Sequence, residues 1–331
     1  MTRRVVLAYS GGHGSAAALT HLSRENEVVA VAADFGAGDV DLCALRRRAI
    51  AEGAAEVVVA DVREEFANEY CLRALYANAL SADGHPLMES LARPLLAQRL
   101  VAVARDQNAS TVAHGGDHAL GSMIEERAAD LETVVPVGFR GRRADAGLSI
   151  GRTLWGRSSG AGGTEDGAGD FDPPDEVVVT FDHGVPVAVD GETVRVAEAV
   201  QRLGHRAAPH GIGRLGRYAA PGATVLVAAH QALESGTLDR DLARFKRGVD
   251  RRWAELVRDG GWFSPLREPL DAFVRQAQDR VSGEVRLVLQ AGRATVAVLP
   301  GRRLRPVGRQ HRPGTGHTPL GSTQHLSTQA S

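Results

Sequence analysis

The chain has 331 residues, room for two domains that each bury a core of their own. Its 43% hydrophobic and 24% charged residues are the balance of a soluble globular protein, and a net charge of −1 gives no overall attraction to nucleic acid or membrane. Two cysteines, Cys43 and Cys71, can make neither a disulfide framework nor a four-thiolate metal site.

Arg4 to Tyr9 is a short apolar run that stops at Ser10-Gly11-Gly12 and predicts a buried parallel strand feeding a glycine turn. A helix is expected from Gly14 to Ser23, a strand from Glu27 to Ala33, a helix from Leu42 with Gly53 as its stop, and a strand from Glu56 to Ala60. Helices at Arg63–Ala79 and Ala92–Asp106 follow, then a strand at Ser110–Ala113 running into His114-Gly115-Gly116. Strands alternating with helices at this spacing predict βαβ units, an α/β fold with a doubly wound parallel sheet.

Between Arg140 and Pro174 glycine becomes dense and apolar runs vanish, which reads as a long crossover loop. A hairpin is expected from Glu176–Phe181 and Val185–Val189. Helices at Val194–Leu203, Thr224–Glu234, Leu238–Arg258 and Pro265–Arg280 follow, then strands at Val285–Leu289 and Ala294–Val298. The expected organisation is an α/β domain over 1–140, a second α+β domain over 141–300 and a disordered polar tail over 301–331.

Both cysteines fall in helical-looking segments and are expected as small buried thiols in a reducing cytoplasm. The apolar run after Met1-Thr2-Arg3-Arg4 is too short for a signal segment or a membrane span, so a cytoplasmic location is expected. Lys246 is the only lysine, so none is available in the first domain to hold phosphates. His13, His118, His183 and His210 lack metal-ligand spacing and are expected in turns or in solvent, with no metal site among them. Trp155, Trp253 and Trp262 are expected as core or interface anchors.

A strand followed at once by Ser-Gly-Gly and a helix is suited to anion binding: glycines let the backbone approach phosphate, and the helix N-terminus offers unpaired N–H groups. The same turn also occurs as simple packing, and it is neither a Walker loop nor Gly-x-Gly-x-x-Gly. The phrase Ala8-Tyr9-Ser10-Gly11-Gly12-His13-Gly14-Ser15 resembles the pyrophosphatase-type ATP loop of the argininosuccinate synthase family. Further phrases follow in that family's order, among them Ala33-Asp34-Phe35-Gly36, Leu91-Ala92-Arg93-Pro94, Ala113-His114-Gly115, Leu154-Trp155-Gly156-Arg157-Ser158, His210-Gly211-Ile212-Gly213-Arg214 and Trp262-Phe263-Ser264-Pro265.

The resemblance implies a PP-loop ATPase fold of the adenine nucleotide alpha hydrolase kind with a second synthetase domain. It implies a ligase that adenylates the ureido oxygen of citrulline with ATP, releases pyrophosphate, and lets the aspartate amine displace AMP, a step of arginine biosynthesis. Carried over position by position, it assigns ATP to Ala8, Ser10, Gly11, Gly12, Ser15, Ala33 and Gly115. It assigns the amino-acid substrates to His85, Ser90, Ser149, Ser158 and Tyr218. ATP and Mg²⁺ are the implied cofactors, and a homo-oligomer the implied assembly.

Several positions depart from the family pattern. Gly14 stands where the ATP loop carries an Asp that helps organise Mg²⁺ or phosphate, and Ala16 where it carries a hydroxyl. In the second loop Gly121-Ser122 replaces an Asn-Asp pair, and Glu125 replaces an Arg that would grip a carboxylate. Glu89 replaces a Thr that contacts aspartate and would repel an anionic substrate. The segment carrying a substrate Glu is missing before Tyr218, and the subunit-joining C-terminal arm is replaced by the polar tail. Three functions fit: the family ligase, a ligase of the same adenylating type with another partner, and a non-catalytic nucleotide-binding paralogue. No residue is singled out as the catalytic group.

Overall fold

The computed structural model describes residues 3–38, 40–137, 147–158 and 173–298. The expected tail, 301–331, and most of the expected crossover loop lie outside these residues.

The first half opens with β1 (Arg3–Ala8), α1 (His13–Leu22), β2 (Asn26–Asp34), α2 (Leu42–Ala51) and β3 (Glu56–Asp61). Then come α3 (Arg63–Glu65), a π-helical turn (Phe66–Cys71) and α4 (Leu72–Tyr76), followed by α5 (Glu89–Asp106), β4 (Thr111–Ala113), α6 (His118–Arg127) and β5 (Glu132–Val134). The five strands are all parallel in the order β3-β2-β1-β4-β5. Val5, Val6 and Leu7 are buried on both faces of β1, as a central parallel strand requires. Chain direction across the sheet reverses between β1 and β4, which leaves a crevice at their C-terminal ends.

The second half runs β6 (Arg152–Thr153), β7 (Gly156–Ser158), β8 (Asp175–Asp182), β9 (Val185–Val189), β10 (Glu192–Thr193) and α7 (Val196–Ala207). It continues with β11 (Arg214–Leu215), β12 (Tyr218–Ala219), α8 (Pro221–Thr237), α9 (Arg240–Arg258), α10 (Arg267–Gln276), β13 (Gly283–Gln290) and β14 (Arg293–Val298). One antiparallel sheet has the order β10-β9-β8-β13-β14; a smaller one, of strands two or three residues long, has the order β11-β12-β7-β6. β8 buries Val177, Val179 and Phe181 in strict alternation, the mark of a sheet covered on one face. α7 and α8 cover it and cross closely: a Cβ on Gly222 would lie 2.1 Å from the Val200 carbonyl oxygen.

Four expectations are corrected. The helix expected over 63–79 is broken into α3, a π turn that buries Phe66, Ala67, Tyr70 and Cys71, and α4, which ends at Tyr76. α6 occupies what reads as a loop, because Asp117 caps it by accepting the Leu120 N–H at 3.1 Å. Cys43 is exposed, since α2 buries Leu45 and Ala49; His210 lies in a turn, as expected, with its side chain buried. Finally, the halves do not hold separate cores: one apolar cluster runs from Val6 through Phe66, Trp155 and Trp253 to Leu289. Trp262 stacks on Tyr70 at 4.6 Å across that junction. A second cluster, around Leu7, Leu19, Ala30 and Leu45, lies on the other face of the parallel sheet. Among the described residues no helix is long and apolar enough to cross a membrane.

Candidate nucleotide-binding cleft

The crevice at the ends of β1 and β4 is a cleft of about 620 Å³. Its floor is the turn after β1. Ser10 Oγ accepts the Gly12 N–H at 3.3 Å, and Ser15 Oγ donates to the Gly12 carbonyl at 2.9 Å and accepts the Ser10 N–H at 3.3 Å. Arg48 braces the turn from α2 through the Gly11 carbonyl at 3.0 Å. Gly12 caps α1 without a side-chain hydrogen bond, so the first-turn amides carry no side-chain acceptor and face an anion with the positive end of the helix.

A wall comes from the second half. The Leu148 N–H donates to the Ser10 carbonyl at 2.8 Å, fastening the segment before β6 onto the turn. Gly147 makes this possible: its φ is +87°, and a Cβ there would lie 1.8 Å from Ser10 O. The Leu154 N–H donates to the Phe35 carbonyl at 2.9 Å and ties the β6–β7 hairpin to the end of β2.

Ala8, Ser10, Ser15, Ala33, Gly115, Ser149 and Ser158 line one cleft, although they come from distant parts of the chain. Gly11 and Gly12 lie buried in the turn beneath it. His85 and Tyr218 stand beside it with rings stacked at 4.2 Å, and Tyr218 pairs with Ser158 between β12 and β7. Ser90 is buried in the first turn of α5 and does not line the cleft. Glu125 is not a cleft residue either: it is exposed on α6 and accepts from the Thr133 hydroxyl at 2.7 Å. Arg127 points away and lies over the Phe263 ring at 5.1 Å.

Sequence reasoning singled out Glu89 but missed the partners that its charge meets in the site. Glu89 Oε1 accepts from Ser158 Oγ at 2.5 Å, Arg93 reaches Glu89 Oε2 at 3.3 Å, and Arg93 Nε donates to Asp117 at 2.8 Å. Arg217 lies over the Tyr218 ring at 5.0 Å, donates to its hydroxyl and adds its charge near Glu89. The i, i+4 spacing of Glu89 and Arg93 was visible once α5 begins at Glu89 rather than Ala92. The meeting with Asp117 and Ser158 had no local signal.

His114 is buried beneath α6 with its Nδ1 unpartnered among the described residues, and burial lowers its pKa, which keeps it neutral. Gly121 leaves room for it, since a Cβ there would meet His114 Nε2 at 3.0 Å. The described residues hold no group of three or more His, Cys, Asp or Glu able to cage a metal, and Arg93 takes up both Glu89 and Asp117. These residues do not fit a Mg²⁺ held by protein ligands.

A five-stranded parallel sheet with a capless helix N-terminus at its switch point, closed over by antiparallel elements, defines an α/β nucleotide-binding protein of the PP-loop ATPase kind. The model of the arginosuccinate synthase N-terminal HUP domain matches residues 4–138, and that of the arginosuccinate synthase C-terminal domain matches residues 162–303. The chain belongs to the argininosuccinate synthase family, a family of ATP-dependent ligases. One solved structure, a predicted subunit of tRNA methyltransferase from Methanocaldococcus jannaschii, aligns over 42% of this chain and 70% of its own at 13% identity and a TM-score of 0.30, too weak a likeness to carry an argument.

Proposed function

We propose that this chain is a cytoplasmic ATP-dependent ligase that joins citrulline to aspartate in arginine biosynthesis. The citrulline ureido oxygen attacks the α-phosphorus of ATP and pyrophosphate leaves. The aspartate amine then attacks the activated carbon, loses a proton, and AMP departs. What carries this reading is the convergence, in one cleft, of the uncapped α1 N-terminus with Ser149 and Ser158 from the opposite half. The amides receive the phosphates, the serines offer hydroxyls to an amino acid, and the 147–151 segment laid over the turn shields the adenylate from water.

One observation favours a second reading, a ligase of the same adenylating type with another partner. Glu89 and Asp117 set two carboxylates against the Arg93 guanidinium in the cleft lining, and Glu89 already holds Ser158. A partner without a free carboxylate suits that charge better than aspartate does.

Pyrophosphate release from ATP, measured with citrulline and aspartate supplied separately and together, separates the readings. Release that needs citrulline supports the first. Release only with another ureido or amino compound supports the second. ATP binding without release under any acceptor is the behaviour of a non-catalytic paralogue.

A further inference from the structure

Away from the cleft, a buried polar cluster joins the two halves. Lys246, 1% exposed, donates to the Tyr76 carbonyl at 2.6 Å and to both Asp250 oxygens at 2.8 and 2.9 Å, with Glu234 Oε1 at 3.0 Å. Asn78 Nδ2 donates to Glu234 at 2.7 Å and to Asp250 at 3.2 Å. Gln278 Nε2 donates to Glu234 at 2.9 Å and to the Val274 carbonyl at 3.0 Å. Each amide therefore has its NH₂ committed to acceptors and its oxygen turned the other way.

Both oxygens meet one ring. Asn78 Oδ1 lies 2.8 Å from His230 Nδ1, and Gln278 Oε1 lies 2.9 Å from His230 Nε2. An amide oxygen only accepts, so both ring nitrogens must donate. We infer that His230 is a buried imidazolium, balancing Lys246, Glu234 and Asp250 as a quartet of two cations and two anions, and that this charge holds Asn78 at the root of the loop carrying His85 and Glu89.

The groups facing His230 can be named element by element. Glu234 is one turn along α8, with Oε1 3.9 Å from Nε2. Lys246 and Asp250 come from α9, Gln278 from the turn after α10, and Asn78 from the end of α4. The rings of Tyr76 and Phe181 close the site at 6.5 and 5.8 Å. Burial, and after it the nearby Lys246 charge, drive the imidazolium pKa down, to about 4, against the pull of Glu234 and the Gln278 hydrogen bond. Against this stands the placement of two acceptors on one ring: deprotonation would set a bare nitrogen lone pair against the Asn78 or the Gln278 amide oxygen and leave the cluster with a net negative charge. Turning Asn78 over does not remove the need for a proton, since its oxygen would then face Glu234 Oε2 at 2.7 Å.

Asn78 stands in the left-handed region, with φ +44°, where the chain leaves α4. Beyond it Leu80 bridges to Pro86, the Ser81 N–H donates to the His85 carbonyl at 2.8 Å, and the His85 ring reaches Tyr218. A fixed Asn78 thus fixes the start of the loop. The role of that loop in substrate binding rests on the proposed function; the charge on His230 does not.

The test uses the full chain with ¹⁵N-labelled histidine and no nucleotide or substrate. At pH 7.5 His230 is expected to show two protonated ring nitrogens of nearly equal shift, a pair lost in His230→Gln. Should that variant fail to fold, assignment rests on slow exchange. Among the described residues only His114, His210 and His230 are buried histidines, and of these only His230 has both nitrogens hydrogen-bonded. One protonated and one bare nitrogen at pH 7.5 would overturn the imidazolium. Amide exchange at Ser81 and Leu87 reads the second half of the inference. Protection there is expected to fall about tenfold as the His230 signal titrates at higher pH, with β1 and β2 unchanged. Protection indifferent to that titration would overturn the positioning role. Neither readout involves ATP, so a failed ligase assay leaves both standing.

Discussion

Ser158 on β7 donates its hydroxyl to Glu89 at the start of α5, across 2.5 Å, and so closes the cleft between the halves with a carboxylate rather than with a neutral group. Gly151 sits against this contact, where a Cβ would lie 2.8 Å from Ser158 Oγ and 3.7 Å from Glu89 Oε1. Any ligand held by Ser158 therefore lies beside a negative charge.

Replacing that charge is expected to change which partner is accepted. Glu89→Thr should lower the KM for aspartate about tenfold in a pyrophosphate-release assay, the size of one partly screened like-charge repulsion. An unchanged aspartate KM would place the aspartate away from Glu89.

The turn after β1 depends on Gly147. Gly147→Ala forces a Cβ onto the Ser10 carbonyl and breaks the Leu148–Ser10 bond. The ATP dissociation constant, measured by calorimetric titration, should rise at least about tenfold, the usual effect of misplacing a preorganised contact by roughly an ångström. Wild-type affinity in the variant would show that the 147–151 segment does not support nucleotide binding.

Asp271 bears the junction of α4, α9 and α10. It is buried, accepts from Trp253 Nε1 at 2.6 Å and from Arg73 at 3.0 Å, and also pairs with Arg267. Asp271→Ala strands these donors and should cost about 3–5 kcal/mol in denaturant unfolding. A loss under about 1 kcal/mol would mean that water replaces the carboxylate.

Burial pushes the Asp250 carboxyl up to about 6 against the pull of Lys246. That lies above the roughly 3.9 of an unfolded aspartate, so the folded state holds the proton more tightly. The stability this contributes is fully present below about pH 4 and is lost as pH rises through about 6. Relative to wild type, Asp250→Asn should therefore gain on the order of 2 kcal/mol in unfolding free energy between about pH 4 and 7. A constant difference across that window would show that Asp250 titrates alike folded and unfolded.

The parallel sheet was legible in the sequence because Val5–Leu7 and Val28–Ala33 are continuous apolar runs ended by turn residues. The small sheet that presents Ser158 and Tyr218 was not, since strands two or three residues long carry no period and are set by pairing with distant partners. α5 starts at Glu89, three residues before the expected Ala92, and Pro94 falls in its second turn. Within the cleft, the glycines and serines near β1 announced themselves. The ion pairs of Arg93 with Glu89 and Asp117 needed three-dimensional proximity.

The central claim is that this cleft binds ATP and spends it on adenylation. Its most direct measurement is pyrophosphate release from ATP by the purified full chain, with citrulline present and absent and ATP binding followed by thermal shift. Millimolar ATP is expected to raise the melting temperature, and release to appear only with citrulline. No stabilisation by ATP together with no release would contradict it.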